Sequence, residues 1–206
     1  MAFTNYKTIK AVKDKFPQIV VISTKFIPQN LPIVSPDFYL QREIDYNLET
    51  YRSNEFYACE NLVAPILRAV WRPYYHEINL WTHQMIRYDD DLSGIPDYMF
   101  THLDKRQYEF LSYPLLATVE AKAENFEEGW GQCLAQMIAF REINQKPKMT
   151  IYGIVTTGKF WEFGKFENDT LTKHSISYAI SNLSELLSIL DYILQECKKQ
   201  MAWFDV

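Results

Sequence analysis

Cysteine is scarce in this chain. Cys59, Cys133 and Cys197 are three, an odd number, and lie far apart. That excludes a disulfide framework and a cysteine-built zinc site, and the expectation is buried free thiols in a reducing cytoplasm. Positive charge is short as well: 21 Lys and Arg face 26 Asp and Glu, a net charge of -5. Proteins that grip nucleic acid mainly through phosphates present a basic surface, so avid non-specific DNA binding is disfavoured, although a local basic rim around a site remains compatible with the total. No apolar run reaches membrane-spanning length. The opening residues, Met1 to Lys7, lack the apolar region of a signal peptide. The expected location is therefore cytoplasmic, with no membrane partner. The four histidines, at 76, 83, 102 and 174, are scattered. Patterns of the form His-x-x-x-His, Cys-x-x-Cys, Gly-x-Ser-x-Gly and the phosphate loop are all missing, which leaves zinc hydrolase, serine hydrolase and nucleoside triphosphatase readings without support.

Apolar content is ample: 48% of 206 residues, with 16% aromatic, enough for one domain with a sizeable core. Tyr6, Ile9, Val12 and Phe16 fall at helical spacing, so a helix is expected over 5–16, ended by Pro17. A short strand is expected from Gln18 to Ser23. Pro28, Pro32 and Pro36 then mark an extended connector. A second helix is expected from Thr50 or Ser53 to Val70, with Phe56, Cys59, Val63, Leu67 and Val70 as its apolar stripe and a kink at Pro65. Glu60 sits on that stripe, where a carboxylate is a candidate site residue; the plainer reading is a stripe-edge glutamate paired with an arginine such as Arg68. Glu77 to Tyr88 reads as a strand, and the run Asp89 to Gly94 as a solvated turn. Asn125 is a good N-cap, with Glu128 in the capping-box position, for a helix from Phe126 to Asn144. Its apolar face is Phe126, Trp130, Cys133, Leu134 and Met137, flanked by Gln132 and Gln136. Strands follow over Met149 to Thr157, Phe160 to Phe166 and Leu171 to Ile176, and a closing helix starts near Asn182. Arg141, Lys146, Lys148, Lys159, Lys165 and Lys173 are interleaved with acidic residues, which reads as a mixed solvated surface.

The stretch from Gly94 to Lys122 organises the rest. Gly94 to Phe100 and Leu115 to Lys122 are apolar and β-prone, joined by a polar loop with Asp104, Lys105, Arg106 and Gln107. Side chains alternate along a strand, so Glu120 and Lys122 share a face while Ala121 points the other way. If the two strands pair, Asp97 can lie beside Glu120. Two neighbouring carboxylates in an apolar setting repel, and a divalent cation relieves the conflict. Oxygen donors of this kind suit magnesium or manganese, with Lys122 placed to orient a water. The bland alternative is a plain ion pair between Glu120 and Lys122.

Pro96-Asp97 followed by Glu120-Ala121-Lys122 resembles the signature of the PD-(D/E)XK phosphodiesterase superfamily, the restriction-endonuclease-like proteins. Two decoys exist, Pro36-Asp37 in the proline-rich connector and Glu196-Cys197-Lys198 in a helical pattern, but only the 96–122 pair has two strands at a short interval. The run from Tyr152 to Phe163 is similar to the hairpin of N-terminal nuclease domains in type I restriction subunits, which widens the resemblance to about residues 54–166. The resemblance implies that Asp97, Glu120 and the Ala121 carbonyl hold magnesium, or manganese, and that Lys122 positions the attacking water. It also implies a glutamate on the first core helix, Glu60, at the metal, and Gln132 or Gln136 facing the cleft.

The expected fold is α/β, a restriction-endonuclease-like core with a mixed central sheet flanked by helices. Residues 1–48 would be an N-terminal helix and extended connector, and 49–206 the nuclease-like domain. The expected activity is metal-dependent cleavage of nucleic acid, with DNA as the partner and a homodimer or larger nuclease complex as possible assemblies. The competing expectation is a catalytically inactive module of the same fold, serving as a protein-interaction or nucleic-acid-binding subunit.

Overall fold

The computed structural model describes residues 2–52 and 54–201. A short turn over Ala2–Asn5 leads to α1 (Ile9–Lys15) and β1 (Val20–Thr24). Three helical pieces follow: α2 (Phe38–Glu49), α3 (Glu55–Ala58) and α4 (Ala64–Trp71), with a π turn over Cys59–Val63 between the last two. Then come β2 (Ile78–Thr82), β3 (Ile86–Arg87), β4 (Ser93–Gly94), β5 (Tyr98–His102) and β6 (Leu115–Ala121). After α5 (Phe126–Asn144) the chain runs through β7 (Ile151–Thr156), β8 (Phe160–Glu167), β9 (Thr170–His174) and β10 (Tyr178–Ala179) to α6 (Leu183–Met201).

The chain is α/β around a mixed eight-stranded sheet, in the order β1-β9-β8-β7-β6-β5-β2, with β10 also on β8. Two pairs are parallel, β6 with β7 and β1 with β9; the others are antiparallel. The crossover between β6 and β7 is α5, as a parallel pair requires. This helix is buried on nearly every side, from Gly129 to Phe140. A helix apolar all round needs cover on both faces. The sheet supplies one, and the N-terminal segment the other. Gly131 permits that second contact, since a Cβ there would lie 2.4 Å from the Tyr6 carbonyl oxygen. Tyr98 Oη donates to the Cys59 carbonyl at 2.9 Å, so the π turn lies on the opposite face of the sheet. Among the described residues no helix is long and apolar enough to cross a membrane.

Several elements depart from expectation for local reasons. The first helix starts only at Ile9, because the Thr8 hydroxyl caps it by accepting the Ala11 N–H at 3.1 Å. Tyr6 lies ahead of it, buried. Residues 28–37 carry no helix or strand, as their prolines predict, and α2 follows directly where no helix was expected. Asp37, from the first decoy Pro-Asp, caps it by accepting the Leu40 N–H at 2.8 Å. The helix expected from Thr50 or Ser53 begins at Glu55, capped by Asn54; Ser53 lies outside the described residues. Pro65 has no N–H to give Asn61, and the helix widens into a π turn just before it. The Asn47 side chain fills the vacancy, donating to the Asn61 carbonyl at 2.8 Å. Phe56, expected on the buried stripe, is 80% exposed. The strand expected over 77–88 is broken at His83, whose φ of 49° ends the extended run. Ser93–Gly94 pairs with Ile86–Arg87 as a small separate ribbon, so Asp97 stands at the entry to β5 and not within it.

Candidate functional site

The site forms at the carboxyl ends of the parallel strands β6 and β7, where β5 begins. Ligands favour this end of parallel strands, since chain direction changes there and opens a crevice. The register Tyr98 to Val119 brings the start of β5 against the end of β6. Asp97 Oδ2 accepts the Ala121 N–H at 2.8 Å, which anchors the aspartate beside the Glu-Ala-Lys segment. Glu120 is almost fully buried. Its Oε1 lies 2.8 Å from Lys122 Nζ, and its Oε2 accepts from Gln136 Nε2 at 2.7 Å. The Gln136 amide oxygen in turn accepts from the Thr118 hydroxyl, so α5 holds Glu120 in one rotamer. The Lys122 main chain is tied to β7 through its N–H and the Thr156 carbonyl, 2.9 Å apart.

Electrostatics at this point are in conflict. Burial, then the Asp97 charge, pushes the Glu120 carboxyl up to about 7, against the pull of Lys122 and Gln136. Burial also raises Asp97, although the Ala121 N–H and Lys122 oppose the shift. Burial works against the Lys122 ammonium, yet Glu120, Glu55 and Asp97 together lift its pKa above the ordinary lysine range. Two carboxylates thus sit where one ammonium does not fully compensate them.

Asp97, Glu120, Ala121, Lys122 and Gln136 are brought together. Gln132 and Glu60 are not. Gln132 is buried one turn earlier on α5, but donates to Glu128 at 3.0 Å, towards the N-terminal segment. Glu60 is exposed on the π turn. The glutamate of that helical run which reaches the cluster is Glu55, 3.5 Å from Lys122 Nζ. Its only sequence signal is its place directly after the capping Asn54. His83 also escaped sequence reasoning. Its N–H donates to the Asp97 carbonyl at 3.0 Å, and its Nδ1 lies 3.9 Å from Asp97 Oδ1.

Among the described residues, no three His, Cys, Asp or Glu side chains are arranged to hold a metal ion. Asp97 and Glu120 offer two carboxylates, and the Ala121 carbonyl would be the third protein ligand. That oxygen set fits magnesium or manganese, and the raised pKa values of both carboxyls mark a place where added positive charge is favourable.

Three of the interleaved basic residues are tied to carboxylates. Arg141 pairs with Asp169 and Glu142, Lys165 with Glu167, and Lys173 with Glu162. A cavity of about 820 Å³, lined by His76, His102, Lys105 and Arg106, lies at the other end of β5. No family model matches the chain, and no curated protein matches it either.

Proposed function

We propose that the protein hydrolyses phosphodiester bonds in nucleic acid with a bound divalent cation, on a restriction-endonuclease-like core. One observation carries the reading: two carboxyls with raised pKa values, Asp97 and Glu120, converge with the half-buried Lys122 at the carboxyl end of a parallel strand pair. Asp97, Glu120 and the Ala121 carbonyl would hold the ion. Bound magnesium or manganese supplies Lewis acidity towards phosphate and lowers the pKa of a coordinated water. Lys122, released from Glu120, orients the attacking water and offsets charge developing on the phosphate. Gln136 fixes the Glu120 carboxylate, and Glu55 gives Lys122 a second anionic partner.

A non-catalytic module is the second reading. The observation in its favour is that Glu120 is already satisfied on both oxygens, by Lys122 and Gln136. Incubation of the protein with plasmid, duplex and single-stranded DNA in magnesium or manganese separates the two. Cleavage is expected, and Asp97→Ala or Lys122→Ala should each lower its rate by about 100-fold or more. Variants that retain their folds and cut as fast as the unaltered protein would remove the assignment.

A further inference from the structure

Aromatic side chains make up much of this core, yet four on the linked helices α2 and α3 are left in solvent, and one of them, Phe56, adjoins the Glu55 that reaches the site. Phe56 is 80% exposed, Tyr39 81%, Phe38 72% and Tyr46 64%. Helix α2 turns Leu40, Ile44 and Asn47 inward, so Tyr39, Arg42 and Tyr46 occupy its outer face. Helix α3 presents Phe56 directly after Glu55, the residue 3.5 Å from Lys122. The two helices are joined, since Tyr57 Oη donates to the Asn47 carbonyl at 3.1 Å. Near the same end of the sheet, Lys159 Nζ stands 3.6 Å from the Tyr51 ring centre, and Tyr51 meets Tyr57 edge-on at 5.9 Å.

We propose that these side chains form a track for single-stranded nucleic acid, delivering it to Asp97, Glu120 and Lys122; the proposal rests on the phosphodiesterase reading and names its substrate. A duplex hides its base faces and must be held by phosphates. This chain is poorly equipped for that, at net charge -5 and with Arg141, Lys165 and Lys173 committed to carboxylates. A single strand exposes base faces that stack on Phe and Tyr whatever the sequence. Arg42 shares the outer face of α2 with Tyr39 and Tyr46, and Lys159 stands over the Tyr51 ring near the site end; either cation can steady a phosphate or a base. Glu43 shares the outer face of α2, so stacking and not net charge must supply the affinity.

Polarisation binding in EDTA, with the full chain, a labelled oligothymidylate and a duplex of equal length, tests the track. The single strand should bind at least about tenfold tighter, since a base–aromatic stack is worth roughly that factor. Phe56→Ala and the pair Tyr39→Ala with Tyr46→Ala should each lose about tenfold for oligothymidylate. Their melting temperatures should hold, because the side chains are exposed. Equal or tighter duplex binding, or variants that bind oligothymidylate unchanged, would overturn the proposal. Variants that alter self-association on gel filtration while oligothymidylate binding stays the same would assign the surface to a protein partner and also overturn it. Duplex cleavage that Asp97→Ala abolishes, without preferential single-strand binding, would sink the track and keep the catalytic reading. Track-dependent binding with no cleavage in either metal would do the reverse.

Discussion

Between pH of about 4.5 and about 7 the folded chain keeps a proton on Glu120 that the unfolded chain has released. Unfolding in that window frees a proton, so this residue's contribution to stability falls as pH rises through it and is lowest above about 7. Glu120→Gln removes that dependence. The variant should therefore match the metal-free protein near pH 5 and exceed it at pH 8, by an amount on the order of 1–3 kcal/mol. Thermal melts across this range check it, and a difference that shrinks as pH rises would contradict the assignment. If magnesium binds these carboxylates as proposed, it competes with the same proton, and its stabilising effect should be larger at pH 8 than at pH 6. The two glutamines of α5 separate in the same assay. Gln136→Leu strands both Glu120 and the Thr118 hydroxyl, and should cost about 2–4 kcal/mol; Gln132→Leu loses one bond to Glu128 and should cost under about 1 kcal/mol. The meeting of Asp97, Glu120 and Lys122 is readable from strand parity and pairing. Glu55 is not, because counting Phe56 into the buried stripe turns the helix by the wrong amount.

At the scale of elements, regular periodicity predicts well and local exceptions do not. Helix α5 is legible because its cap, capping-box glutamate and apolar positions agree. Helix α2 is hidden by its own surface: Phe38, Tyr39 and Tyr46 are apolar or aromatic yet outward, which blurs the stripe of Leu40 and Ile44. The break between β2 and β3 falls at the positive φ of His83, which composition does not announce. The π turn is half legible, since Pro65 predicts a distortion but not its form. Asn47 donates to the Asn61 carbonyl, which Pro65 cannot reach. Asn47→Ala should cost about 1–3 kcal/mol. In a Pro65→Ala background, where an amide N–H is restored, that penalty should shrink. A double-mutant cycle by denaturant unfolding measures the coupling, and strictly additive costs would show that Asn47 does not compensate for the proline.

For the whole molecule, the question is where the folding unit begins. Residues 1–48 read in sequence as a helix and connector and 49–206 as the nuclease-like domain, expected together as one compact unit, and the sheet spans the line at residue 48. β1 pairs with β9 from Val20 to Thr24, and α1 lies on α5, the helix that positions Gln136. Phe3, Tyr6, Val12, Ile19, Ile27, Leu40 and Ile44 are all buried ahead of that line. Each buried side chain of this kind contributes about 1.5–3 kcal/mol, whereas a typical domain is stable by only about 5–15 kcal/mol in total. Removing residues 1–48 therefore withdraws as much apolar burial as the fold has margin, and leaves α5 bare on one face and β9 with an open edge. A fragment of residues 49–206 should lack a cooperative thermal transition and should aggregate, while the full chain melts in one step. Should the fragment instead unfold cooperatively near the full chain's temperature and bind magnesium equally well, the N-terminal segment would be an accessory layer and α5 would not depend on it. Such linkage of the N-terminal helix α1 to the site through the buried α5 is invisible to motif reading, and so is the pairing of β1 with β9, which joins distant parts of the chain and leaves no local signature.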